Sequence, residues 1–290
     1  MNCATCFIVA SDPEVSSRNR LVSSFGGTVS VEKIWSLRRG ESPLVATAIH
    51  AGHEVREEVG CLLALTEEER LREEDPFTDS WTHLSDTRVK GLRSRFEVDL
   101  NRPREKAVYL TEEDAWGLKT WKNDLPAEIA DRSLAEYDAF YSEMHSLMRD
   151  LENRHGRFIV FDLHSYNHRR EGVVGPPADP KANPDVNVGT GTMERERWAP
   201  IIDRFIRDLS SSNFLGSHLD VRENVRFRGG NFPGWVHRNF PETGCAVAIE
   251  VKKFFMDEWK GEPDQEKLRM VYTALKSTVP GVLEELSRLG

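Results

Sequence analysis

The sequence predicts an α/β fold, a single domain whose mixed, mostly parallel sheet carries helices on both faces. Three observations point there. Short β-rich runs alternate with amphipathic helical segments along the chain. Residues 158–161 and 245–251 are nearly continuous apolar runs, as strands buried on both faces require. No repeat, low-complexity stretch or shift of composition marks a seam, so one domain is expected over residues 1–290.

In chain order, residues 28–37 and 44–49 read as strands joined through a turn at 38–42, with Gly40 and Pro43 as punctuation. The second of these strands ends at His50. Residues 96–98 (Phe-Glu-Val) alternate as a short strand would. Leu134, Tyr137, Tyr141, Met144, Met148 and Leu151 recur at helical spacing, and Gly156 stands where such a helix stops. The 158–161 strand then leads into Asp162-Leu163-His164-Ser165. Trp198, Ile201, Ile202, Phe205, Ile206 and Leu209 mark another helix, 245–251 the last buried strand with Glu250 near its end, and Leu268, Val271, Leu275 and Val279 a closing helix. In such folds ligands bind in the crevice at the carboxyl ends of the strands.

Composition narrows the function classes. With 39 basic and 48 acidic residues the formal net charge is -9, which argues against a nucleic-acid partner. The longest apolar stretches, 6–10 and 44–49, fall far short of the roughly 20 residues that span a membrane. The N-terminus lacks the basic start, apolar core and small-residue cleavage site of a secretory signal, so a cytoplasmic protein is expected. Cys3, Cys6, Cys61 and Cys245 are too scattered for a disulfide framework, and Cys3-x-x-Cys6 has no second pair to complete a zinc ribbon. Nothing in the sequence speaks to oligomeric state.

His50, His164 and Glu250 lie far apart in the chain, yet each follows or closes a buried run, so a sheet can bring them to one edge. A lone histidine at a strand end is more often structural; convergence of two with a carboxylate favours a metal. Zinc suits neutral imidazoles, and a catalytic site needs three protein ligands with one open position. The third ligand has several candidates. His53 and Glu54 are near His50, although His53-Glu54-Val55-Arg56-Glu57 misses the His-Glu-x-x-His pattern because Glu57 stands at the second histidine. Asp79, in a context that reads as a helix N-terminus, is the distant candidate, with a simple cap as its plain alternative. Asp162, two residues before His164, can accept a hydrogen bond from a ligating imidazole. Glu250 sits among apolar residues, where an unpaired carboxylate costs several kcal/mol, and fits the group that takes a proton from a zinc-bound water. Arginines at 102, 104, 222, 226 and 228 suit a small carboxylate-bearing substrate, because guanidinium pairs with carboxylate bidentately. Gly189-Thr190-Gly191-Thr192 lacks the lysine and the strand-loop-helix context of a phosphate loop.

Seven ordered motifs make the chain resemble the N-formylglutamate amidohydrolase family: His50-Ala51-Gly52, Thr78-Asp79-Ser80-Trp81, residues 94–103, Asp162-Leu163-His164-Ser165, Asn187-Val188-Gly189-Thr190, residues 226–230, and Ile249-Glu250 followed by Met256-Asp257-Glu258. The resemblance implies a zinc-exopeptidase-like fold, a Zn2+ cofactor, and hydrolysis of N-formylglutamate to formate and glutamate, as in histidine degradation. It implies His50, Asp79 and His164 as metal ligands, Glu250 and Arg102 as catalytic residues, and Arg226, Arg95, Asn101 and Asn187 as substrate-binding residues. Departures are His53 and the run Ser165-Tyr166-Asn167-His168-Arg169-Arg170 beside the second histidine. They keep open another N-acyl amino acid or a carboxy-terminal peptide as substrate. A fourth ligand from His53 would close the ion and leave a non-catalytic carboxylate-binding protein.

Overall fold

The computed structural model describes residues 33–289, which fall in one compact unit, Lys33–Gly290. In chain order come strands β1 (Trp35–Arg38) and β2 (Leu44–Ala48), helices α1 (Glu57–Leu62), α2 (Glu67–Glu73) and α3 (Thr78–Trp81), then β3 (Thr87–Gly91). The long helix α4 (Ala127–His155) precedes β4 (Phe158–Tyr166), β5 (Val186–Gly189) and α5 (Ala199–Ser210). A two-residue ribbon of β6 (Asn213–Phe214) and β7 (Ser217–His218) leads to β8 (Val221–Glu223), α6 (Asn231–Asn239) and β9 (Gly244–Lys252). A second ribbon of β10 (Met256–Asp257) and β11 (Glu262–Pro263) precedes α7 (Gln265–Arg288).

Seven strands form the main sheet in the order β1-β3-β2-β4-β9-β5-β8. β3, β2, β4 and β9 run parallel; β1 joins β3 and β5 joins β9 antiparallel, and β8 lies parallel to β5. This is the mixed, mostly parallel sheet read from the sequence. Leu44, Ile159, Phe161 and Ile249 face one layer, where Trp198 just before α5, Ile201 and Phe205 of α5 and Leu275 of α7 meet them. Val45, Val160 and Ala246 face the other, under Phe140 and Met144 of α4 and Phe232 of α6. Each enclosed aliphatic or aromatic side chain contributes about 1.5–3 kcal/mol, which is why both faces of the central strands are apolar. No helix among the described residues is long and apolar enough to cross a membrane.

Some elements differ from the sequence reading. The helix expected from Leu134 to Leu151 begins earlier, behind Pro126, and ends at Gly156, whose φ of 75° is the left-handed stop a glycine supplies. β4 runs on through His164 to Tyr166, so the second histidine lies inside a strand rather than past its end. Residues 96–98 are not a strand. Glu97 and Val98 both donate their N–H to Ser94 O, making a tight turn that buries Phe96 and Val98 while the Glu97 carboxylate pairs with Arg56. Of the strand expected at 28–37, Trp35–Arg38 is the strand found; residues 28–32, like Cys3 and Cys6, lie outside the described residues.

The carboxyl ends of β2, β4 and β9 share one edge of the sheet. His50 lies two residues past β2, and His164 of β4 pairs in register with Glu250 of β9.

Candidate active site

The chain leaves β2 in a turn that Gly52 makes possible: a Cβ there would stand 2.3 Å from the Leu92 carbonyl carbon. The His50 ring is buried, with Nε2 2.7 Å from Asp99 Oδ1. Asp99 also accepts from Arg95 at 2.8 Å, from the Asn101 N–H at 2.7 Å and from the Tyr109 hydroxyl. Burial alone would raise the Asp99 carboxyl; the Arg95 guanidinium and His50 overcome it and hold the group well below the usual carboxylate range. An ionised carboxylate only accepts, so His50 carries its proton on Nε2 and presents Nδ1.

His164 repeats the arrangement. Its Nε2 lies 2.9 Å from Asp162 Oδ2, and Asp162 Oδ1 accepts from Thr47 Oγ1 at 2.7 Å. Its Nδ1 lies 2.9 Å from Asp75 Oδ2, the same oxygen that stands 3.5 Å from His50 Nδ1. The two rings are 4.9 Å apart at 66°. Asp75 thus receives the Nδ1 edges of both histidines, and one ligand atom from each of the three residues lies within 4.8 Å of the others. An imidazole between two carboxylates calls for positive charge. Without a metal that charge is a proton: although burial opposes it, Asp162 and Asp75 raise the His164 pKa well above the usual value. Asp75 is correspondingly held low by His164 and His50 against its burial. Two imidazoles and a carboxylate, with each far ring nitrogen anchored by a further carboxylate, fit a metal such as zinc.

The third member of this group is therefore Asp75, and the structure does not bring Asp79 to the histidines. Asp79 lies in the first turn of α3, its side chain 42% exposed and 3.1 Å from Lys90 Nζ. Its pair with Lys90 of β3 holds the carboxylate outside the group of His50, Asp75 and His164. Asp75 instead precedes Pro76, which disfavours a helical residue before it, and its N–H donates to His50 O at 3.0 Å. The signal in the sequence was Glu74-Asp75-Pro76, an acid held just past a helix by a proline. The other two candidates also lie apart from this group. His53 Nδ1 sits 2.5 Å from Glu74 Oε2, and exposed Glu54 makes an isolated bridge with Arg93.

Glu250 is half-buried beside His164 and opens into a cavity of about 630 Å3 that also reaches His50 and Asp75. Burial pushes its carboxyl up to about 7, with the charge of His164 opposing and those of Asp75 and Asp162 adding. Arg226 lines the cavity, its guanidinium 5.5 Å from the Tyr166 ring and 5.4 Å from that of Phe227. Arg102 lines it as well, 5.7 Å from the rings of Tyr109 and Trp116. Asn101 lines it too, with Nδ2 3.4 Å from His164 Nε2. Arg95 reaches the wall while bonded to Asp99 and Tyr109. Asn187 does not line the cavity. Its amide accepts from Arg226 N at 2.8 Å and donates to Phe227 O at 2.8 Å, so it shapes the loop that presents Arg226. Arg222 is likewise turned away, bonded to Asp220 and to the carbonyls of Pro180 and Lys181.

A family model described as N-formylglutamate amidohydrolase matches residues 42–256. No curated protein matches the sequence. Among solved structures, the fold is similar to that of an N-formylglutamate amidohydrolase from Ralstonia eutropha, with a TM-score of 0.70 and 18% identity over 89% of this chain and 99% of that one. It is also similar to that of a gene product from Agrobacterium tumefaciens, with a TM-score of 0.60 and 16% identity over 88% of this chain and 96% of the other.

Proposed function

The chain belongs to the N-formylglutamate amidohydrolase family, and on that premise we propose that it hydrolyses N-formylglutamate to formate and glutamate at a zinc site made by His50, Asp75 and His164. The observation that carries this reading is the convergence of both Nδ1 edges on Asp75 with Glu250 paired in register beside His164.

Bound there, zinc would supply Lewis acidity that polarises the formyl carbonyl and acidifies the attacking water. The side chains do the rest. Glu250, with its proton affinity raised by burial, takes a proton from that water and delivers it to the amide nitrogen as the carbon–nitrogen bond breaks. Water oxygen thus ends on formate and the proton on the glutamate amine. Arg226 pairs with a substrate carboxylate, and its position against Tyr166 and Phe227 fixes the direction of approach. Arg102, which also lines the cavity, steadies charge on the formyl oxygen. Asp99 and Asp162 keep both imidazoles in the Nε2-protonated tautomer. We assign the reaction to histidine degradation, as the family resemblance implies.

The test is formate release by the metal-replete protein and by Glu250→Gln. The variant is expected to bind zinc normally and to lose at least about 100-fold in kcat, the scale of general acid–base catalysis; full turnover by the variant would sink the mechanism. Parallel assays with N-acetyl amino acids and small peptides decide the substrate, with formate expected as the dominant product.

A further inference from the structure

Lys253 is 1% exposed, follows β9, and has no part in the chemistry above. Its Nζ donates to Arg72 O at 2.6 Å and to Glu74 O at 2.7 Å. These carbonyls lie at the C-terminal end of α2, where a helix leaves acceptors without partners of its own and its dipole favours a cation. Arg95 reaches the carbonyl between them, Glu73 O, at 3.5 Å. The next residue is Asp75, tied to His50 O and restricted by Pro76. The Lys253 N–H also donates to Tyr166 O at 3.0 Å, at the end of the strand that carries His164.

We propose that Lys253 is a positioning residue for the metal site: by clamping the carbonyls on either side of Glu73 to the end of β9, it sets where the Asp75 carboxylate meets His50 and His164. The proposal rests on the reading of Asp75 as a ligand. A lysine that only capped α2 would change the unfolding temperature of the metal-free protein and leave its zinc affinity alone.

The experiment is zinc affinity by chelator competition, with thermal unfolding of the metal-free protein alongside, for Lys253→Met and Asp75→Ala. Lys253→Met is expected to bind zinc about 10- to 100-fold more weakly than the parent, the range seen when groups behind a metal ligand are removed. Asp75→Ala is expected to lose the site. Parental affinity in Lys253→Met beside loss in Asp75→Ala overturns the positioning role and leaves the ligand assignment standing. Parental affinity in Asp75→Ala overturns the ligand assignment itself. If Lys253→Met does not fold, Lys253→Arg decides: its wider, planar head must shift the two carbonyls, so a several-fold weaker site is expected and parental affinity overturns the role.

Discussion

Around two imidazoles the positions of protons are set by carboxylates. Asp99 and Asp162 take Nε2–H, leaving the Nδ1 edges to Asp75. Asp75 and Asp79, four residues apart, should therefore behave differently. Asp75→Asn is expected to weaken zinc binding by at least an order of magnitude, whereas Asp79→Asn, which removes an exposed pair with Lys90, should leave zinc affinity unchanged and stability within about 0.5 kcal/mol. Metal titration of the two variants checks this. His237 gives a second test. Its Nε2 accepts the Ala246 N–H at 3.0 Å, so the proton sits on Nδ1 facing Thr192 Oγ1, and burial pushes the pKa down to about 4 from an ordinary 6.5. The unfolded chain takes up this proton between pH 6.5 and 4 and the folded one does not, so His237 lowers stability as pH falls through that window, by up to about 3 kcal/mol. Urea unfolding at pH 7 and pH 4.5 should show a smaller acid loss in His237→Gln than in the parent. His50, His164 and Glu250 were legible because each is a polar residue at or near the end of an apolar run. Asp75 was not, because its neighbours Glu73 and Glu74 give it the look of one more surface acid.

At the scale of elements, the site is assembled by how chains leave strands. The turn after β2 brings the backbone so near Leu92 that a methyl group has no room. Gly52→Ala is expected to cost about 1–3 kcal/mol in chemical denaturation and to reduce zinc affinity, since the turn aims His50. Helix α2 performs the matching task for Asp75. Its N-terminus is fixed by a capping box between Thr66 and Glu69, and its C-terminus by Lys253 and Arg95. The long strands and helices could be read locally, because burial on two faces needs a continuous apolar run and burial on one needs helical spacing. The turn at 96–98 could not: a buried-polar-buried triplet is shared by a strand and by a tight turn, and the Glu97–Arg56 pair that separates them spans 41 residues.

For the molecule as a whole, the group of His50, Asp75 and His164 that could hold a metal links the ends of strands β2 and β4 to the segment after α2, so an ion bound there should stabilise the entire unit. At 100 times its dissociation constant, zinc is expected to add about 2.7 kcal/mol to the free energy of unfolding. Removal by a chelator should reverse the rise in unfolding temperature, and Asp75→Ala should show none. Differential scanning calorimetry with and without metal measures this; an equal rise in Asp75→Ala would place the ion elsewhere. The sequence by itself determined the α/β architecture and the two histidines and glutamate at the sheet edge, because apolar periodicity is local and records which strands are buried. Tertiary structure decided that Asp75 stands with the two histidines, that Asn187 bonds the loop of Arg226, and that Lys253 bonds the carbonyl just before Asp75. Those outcomes depend on the direction in which a side chain leaves a turn and on partners as much as 181 residues away, and no local pattern encodes either.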